Sequence, residues 1–148
     1  MSAQTMSYAI AFGAGVAVPL LAAINAAYGQ AIGSVHWASL TLCAVAFAAI
    51  FVIVLASGAV LPSKADVANI SWWHLTAGLF FMIYVVSITY VAPKIGVGNA
   101  IIFVVVAQMI TAVIIDHFGL FGAAIVEIGW KRILGIALLV AGIALARS

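Results

Sequence analysis

An all-α membrane protein is the fold class this sequence predicts, with five transmembrane helices per chain and a ten-helix antiparallel homodimer as its assembly. Three observations carry that reading. Of the 148 residues, 68% are hydrophobic and only 5% are charged, a balance that no water-soluble domain of this length sustains. The apolar residues fall into five runs separated by polar residues, glycine or proline, each run long enough to approach or span a hydrocarbon core of about 30 Å. The few cations divide almost evenly between the two sides that five crossings would create. One membrane domain over residues 1–148 follows, with spans at about 8–26, 37–60, 73–91, 99–115 and 131–146.

The same composition closes off several other classes. A single cysteine, Cys43, excludes an intramolecular disulfide framework and a cysteine metal knuckle. A formal charge of +2 is spread too thinly to make a patch for nucleic acid or anionic lipid. No Lys or Arg precedes the first apolar run, so it reads as a retained membrane helix and not as a signal peptide.

In the first span the small residues Ala11, Gly15, Ala22, Ala26 and Gly29 recur at helical spacing with Pro19 on the same face, a surface that another helix can approach closely. Proline lacks an N–H, so Pro19 frees the carbonyl of Gly15. Gly15 and Pro19 form a candidate hinge. A broken helix with a free carbonyl and the carboxamide of Asn25 nearby is one way transporters build a solute site; a kinked packing helix is the other reading.

A short loop holding Tyr28, Gly29, Gln30 and Gly33 leads to the second span, opened by His36 and the interfacial Trp37. Its Ser39, Thr41 and Cys43 receive packing roles. Leu61 to Ser71, with Pro62, Lys64, Asp66 and Asn69, is the stretch best adapted to water. Trp72 and Trp73 mark the next interface, and Pro93 and Lys94 are expected to stop the third span. At 100° per residue, Thr76, Phe80, Ile83, Tyr84, Ser87 and Tyr90 share one face of it. That aromatic and hydroxyl face suits a neutral or amphipathic solute, or serves plain packing.

The fourth span follows Gly96 and Gly98 and carries Gln108 close to its middle. An amide at that depth needs a partner on another helix or on a solute. From Asp116 to Trp130 the chain is apolar but broken by Gly119, Gly122 and Gly129 and carries Glu127, which reads as an interfacial or partly re-entrant connection. Lys131 and Arg132 open the last span, which ends at Arg147. Its Gly135 and Gly142 lie two turns apart on one face, a close-contact seam for another helix.

Counting sides, Lys64, Lys131 and Arg132 fall on the amino-terminal side and Lys94 and Arg147 on the other. Such a small bias lets the chain insert both ways. Two copies in opposite orientation could then pair about an axis in the membrane plane, bringing both Gln108 residues to one depth and giving the inverted symmetry of alternating-access transporters.

Pro19 and Asn25, Trp73 and Gly78, Pro93 to Gly96, Ala107-Gln108, the run Asp116-His117-Phe118-Gly119, and Arg132, Gly135 and Gly142 together resemble the five-helix YdcZ-type inner-membrane family of the drug/metabolite transporter superfamily. The resemblance implies a multi-pass protein of the cell inner membrane, similar in plan to half of a ten-helix transporter. Its partner would be an antiparallel copy of itself or an oppositely oriented relative. The related four-helix small multidrug-resistance branch uses a glutamate in its first helix to exchange protons for cations. Phe12 to Asn25 holds no acid, so that mechanism is not expected here.

The functional expectation is a secondary transporter or facilitator of a small neutral, zwitterionic or amphipathic organic solute, working by alternating access in the lipid bilayer. Gln108 and Asn25 would hydrogen-bond the small-molecule substrate, and Tyr84, Ser87, Thr76 and Phe80 would line its cavity. Asp116, His117 and Glu127, at the membrane edge, could gate or relay protons, or be solvated interface residues. A narrow ion channel built as a dual-topology dimer and a non-transporting assembly subunit are the alternatives. No Walker loop, His-x-x-x-His or carboxylate pair at metal-ligand spacing occurs, so no enzyme, cofactor or metal is expected.

Overall fold

The computed structural model describes residues 2–68 and 70–146. All regular structure among them is helical: α1 (Ala3–Ala31), α2 (Val35–Ala56), α3 (Lys64–Ala68), α4 (Ala77–Ile95), α5 (Val97–Phe118) and α6 (Trp130–Ala146), with 3-10 turns at Trp72–Thr76 and Leu120–Gly122. Four stretches are long and apolar enough to cross a membrane: Ala3–Ala31, Val35–Ala56, Trp72–Ile95 and Val97–Phe118. At 17 residues, α6 extends about 25 Å, short of a full hydrocarbon core of about 30 Å. The expected fifth crossing is therefore not among these four.

Two compact units make up the chain, Met1–Lys94 and Ile95–Ser148. In the first, the Ser2 hydroxyl caps α1 by accepting from the Thr5 amide at 3.2 Å. α1 then runs unbroken through Pro19, so the proline removes one hydrogen bond without ending the helix. The turn to α2 is tight because three amides cover the last carbonyls of α1: Ile32 to Tyr28 at 3.0 Å, Gly33 to Gln30 at 3.2 Å and Ser34 to Gly29 at 3.0 Å. Gly33 adopts φ +70° there, a conformation that costs glycine little. Ser34 opens α2, its hydroxyl accepting from the Trp37 amide at 3.3 Å.

The core of this unit is built of small side chains. Ala22, Ala26 and Gly29 on α1, Ala38 and Ser39 on α2, and Val85, Ile88, Thr89 and Ala92 on α4 are all buried. Lipid-exposed helices gain nothing by burying oil from oil, so close backbone approach and dispersion hold them together. A methyl group on Gly29 would lie 3.3 Å from Thr89 Cγ2 and 3.5 Å from Ala38 Cβ, which marks where the three helices meet. Large apolar side chains face outward instead, as with Phe12 at 77% exposure.

Before α4, Ser63 and Asp66 cap α3 reciprocally. The Ser63 amide donates to Asp66 Oδ2 at 2.9 Å and the Asp66 amide to Ser63 Oγ at 3.2 Å. These bonds hold the exposed Asp66 carboxyl below the ordinary carboxylate range, the side-chain bond from Ser63 first and its amide second.

In the second unit α5 packs on α6 and on the 3-10 turn that follows α5. Ala100 and Val113 are buried. Gly119 ends α5 in the left-handed region at φ +60°, and an added Cβ would sit 2.8 Å from Ile125 Cγ1, so both backbone and space demand glycine.

Several expectations change. Tyr28, Gly29 and Gln30 are not loop residues but the last turn of α1, because the close contact at Gly29 rewards continuing the helix. Pro93 does not stop the third span; α4 passes through it to Ile95, and Gly96 at φ +86° makes the break instead. The water-adapted connection contains α3. Asn69 and Arg147 lie outside the described residues.

Candidate solute site

In the first unit the sequence candidate Asn25 is 5% exposed, and it points its amide nitrogen at a residue the sequence reading passed over. Asn25 Nδ2 donates to Thr89 Oγ1 at 2.6 Å, and Thr89 Oγ1 donates in turn to the Val85 carbonyl at 2.7 Å. This relay ties α1 to α4 within their apolar surroundings, where an unpaired amide would be costly. The signal for it was present: Asn25 shares a helical face with Ala22, Ala26 and Gly29, and Thr89 one with Val85 and Ala92.

Asn25 also lines a recess of about 380 Å³ between α1 and α2. Tyr28 and Thr41 border it with Leu21, Ile24 and Val45. Its wall is almost wholly carbon, with no ionisable side chain but the tyrosine. Such a space accommodates an apolar body and orients it through a small number of polar groups.

The aromatic and hydroxyl face of α4 is turned outward. Phe80, Ile83, Ser87 and Tyr90 are exposed, while Thr76 and Tyr84 are half-buried. Thr76 Oγ1 donates to the Trp73 carbonyl at 2.6 Å. The Tyr84 hydroxyl is buried with no hydrogen-bond partner among the described residues. Packing inside the first unit uses the opposite face, through Val85 and Thr89. At the end of α4 the Lys94 ammonium sits 3.4 Å from the centre of the Tyr90 ring, a cation–π contact. Gly15 is exposed and Pro19 half-buried.

In the second unit Gln108 is exposed near the middle of α5. At the end of that helix Asp116 forms an ion pair with Arg132 at the start of α6. The Asp116 carbonyl accepts from the Val126 amide at 2.9 Å, so one residue anchors both the connection and the next helix. The His117 ring meets Phe118 edge-on at 4.9 Å between centroids. His117 Nδ1 and Arg132 Nη1 are buried without partners among the described residues. Glu127 is exposed. Opposite charges at the two ends of one connection were the available clue to the Asp116–Arg132 pair. Added Cβ atoms at Gly135 and Gly142 meet nothing within 4 Å.

A family model described as "Putative inner membrane exporter, YdcZ" matches residues 6–145, nearly the entire chain. The chain belongs to the YdcZ family. Neither a curated protein nor a solved structure matches it. YdcZ membership together with four long apolar helices makes this a multi-pass protein of the inner membrane. The family description names an exporter, which points away from catalysis and toward movement of a solute. No group of three or more His, Cys, Asp or Glu residues able to hold a metal occurs among the described residues.

Proposed function

We propose that this YdcZ protein exports a small neutral, zwitterionic or amphipathic organic solute by alternating access, paired with a second copy of itself, or a relative, in inverted orientation. The recess beside Asn25 carries the solute class. Its carbon walls bury a hydrocarbon body, and the Asn25 and Thr41 side chains on its border orient one polar group. No carboxylate, lysine or arginine lines it, and an ionised group would be poorly compensated there.

The paired arrangement supplies what one chain lacks. Gln108 is exposed on its own chain, and an inverted copy would give it either a partner or a shared cavity at the same depth. The outward face of Thr76, Phe80, Tyr84 and Ser87 would line that cavity. Gly135 and Gly142 would form the helix seam, with α6 as the fifth crossing through a locally thinned bilayer. Gly15 and Pro19 would absorb the rocking motion, and Asp116, His117 and Glu127 would serve at the membrane edge as gate or proton relay.

Two measurements test this. Proteoliposomes loaded with a mixed set of neutral and zwitterionic metabolites should lose a subset of them faster than protein-free liposomes; if no metabolite is lost faster, the export reading fails. Single cysteines replacing Lys64 and Lys94 in a Cys43→Ala background should each label partly from outside intact cells with an impermeant thiol reagent. Labelling at only one of the two excludes self-pairing in inverted orientation.

A further inference from the structure

Between α2 and α4 lies a second recess, of about 260 Å³, which shares no lining residue with the one beside Asn25. His36, Ser39 and Cys43 line it from α2, and Met82, Val85 and Val86 from α4. The α2 residues stand three and four apart, so they occupy one helical face. His36 is exposed in the first turn of α2, and Cys43 stands two turns further along, about 10 Å from it by helical rise.

Ser39 is the unusual member. It is 4% exposed, and its hydroxyl has no hydrogen-bond partner among the described residues. The two threonines of these helices bond back to their own helix: Thr41 Oγ1 donates to the Trp37 carbonyl at 2.9 Å, and Thr89 Oγ1 to that of Val85. A buried hydroxyl left unmatched is unfavourable, and most such groups in folded proteins find an acceptor. Water is a poor candidate to supply it, because a held water needs two to four polar partners and the rest of this wall is mostly carbon and sulfur.

We propose that this recess binds a compact, uncharged, largely apolar molecule bearing one hydrogen-bond acceptor, which takes the proton of the Ser39 hydroxyl. No carboxylate, lysine or arginine lines the space, and its mostly apolar wall favours an uncharged ligand. At about 30 Å³ per water-sized group, the volume holds roughly nine non-hydrogen atoms. Met82 and Val85 close on its apolar body, and the exposed His36 stands at the rim. Binding here requires no transport, so occupancy stands or falls separately from export.

Cys43 lines the recess and is half-buried, which makes its thiol a native reporter of occupancy. The test follows N-ethylmaleimide addition to Cys43 by intact mass in the purified chain. The probe is acetophenone, and the control is isopropylbenzene, with the same number and connectivity of heavy atoms but without an acceptor. Acetophenone should slow the alkylation. In Ser39→Ala the concentration of acetophenone giving half-protection should rise by roughly fivefold to tenfold, the loss expected for one hydrogen bond, whereas protection by isopropylbenzene should not change. An unchanged alkylation rate without probe shows that the variant is folded. If Ser39→Ala does not fold, Val86→Phe, which fills the recess, should abolish protection by both compounds. The proposal is overturned if acetophenone fails to protect, if Ser39→Ala leaves its half-protection concentration unchanged, or if protection persists in Val86→Phe.

Discussion

Asn25 donates its amide proton to Thr89 Oγ1 at 2.6 Å across 64 residues of sequence, and this bond ties the first helix to the fourth. Because Thr89 passes its own proton to the Val85 carbonyl, its oxygen accepts from Asn25 alone among the described residues. Asn25→Leu removes that donor while keeping the side chain's shape. It should destabilise the chain in detergent by about 1–3 kcal/mol, the range for stranding a buried polar atom. A double-mutant cycle with Thr89→Val, read by thermal unfolding, should return a coupling of about 1 kcal/mol. A coupling indistinguishable from zero would show that the two residues stabilise the helices independently.

Gly29 meets the same threonine from the other side. A methyl group there would stand 3.3 Å from Thr89 Cγ2, and Thr89 is held by hydrogen bonds on both sides of its oxygen. Gly29→Ala should therefore destabilise the chain, although alanine is the better helix former by about 1 kcal/mol. Thr89→Ser deletes the offending methyl and keeps the hydroxyl, so Gly29→Ala with Thr89→Ser should recover most of the loss. Gly135→Ala and Gly142→Ala meet nothing within their own chain. They should leave its thermal stability unchanged or raised, and weaken self-association only if the seam pairs with another copy.

These contacts show what the sequence could and could not reveal. The long apolar helices are legible because membrane spans need a simple composition over a fixed length. The Ser63–Asp66 cap is legible too, as a serine followed three residues later by an acid. The helix ends at Ala31 and Ile95 are not, because packing at Gly29 and the placement of Gly96 decide them. Polar partnerships are the least legible: Asn25 stands out as an amide in a hydrophobic run, but only the crossing of α1 and α4 identifies Thr89. Aromatic periodicity groups Phe80, Ile83, Ser87 and Tyr90, which the structure leaves exposed on α4, yet cannot say that the first unit packs through the other face.

Arg132 and Asp116 form an ion pair with side chains 30% and 32% exposed, between the surface case that contributes little and the buried case that is costly to break. Asp116→Asn should loosen the start of α6 by about 1 kcal/mol, read as faster hydrogen exchange over residues 130–136. The bond from the Val126 amide to the Asp116 carbonyl is made by the main chain, so exchange at Val126 should change less. Exchanging the two charges, Asp116→Arg with Arg132→Asp, should restore part of the protection.

The Ser63–Asp66 cap gives a pH signature outside the membrane. Asp66 is held below the ordinary carboxylate range by the Ser63 side chain first and the Ser63 amide second. A depressed folded value means the cap is fully formed above the ordinary carboxylate pKa, near 3.9, and is lost as pH falls through the lower folded value. Carboxyl-carbon NMR of Asp66 should report that lowered value, and Ser63→Ala should move it back toward the ordinary range. Exchange at the Asp66 amide should rise in the same variant, because Ser63 Oγ is its acceptor.

Gln108 poses the sharpest choice, because it is an amide near the middle of a 22-residue apolar helix and is exposed on its own chain. Hydrocarbon offers it nothing, so either a second chain or a solute must. Gln108→Leu replaces the amide with a shorter apolar side chain. If Gln108 binds the exported solute, efflux from proteoliposomes should fall while crosslinking between copies stays unchanged. If it joins the copies, crosslinking should fall, and efflux with it only so far as the dimer is lost. Comparing efflux per crosslinked dimer separates the two, and under the proposed export mechanism that ratio should drop by roughly tenfold, the effect of losing about 1.4 kcal/mol of hydrogen bonding to the solute.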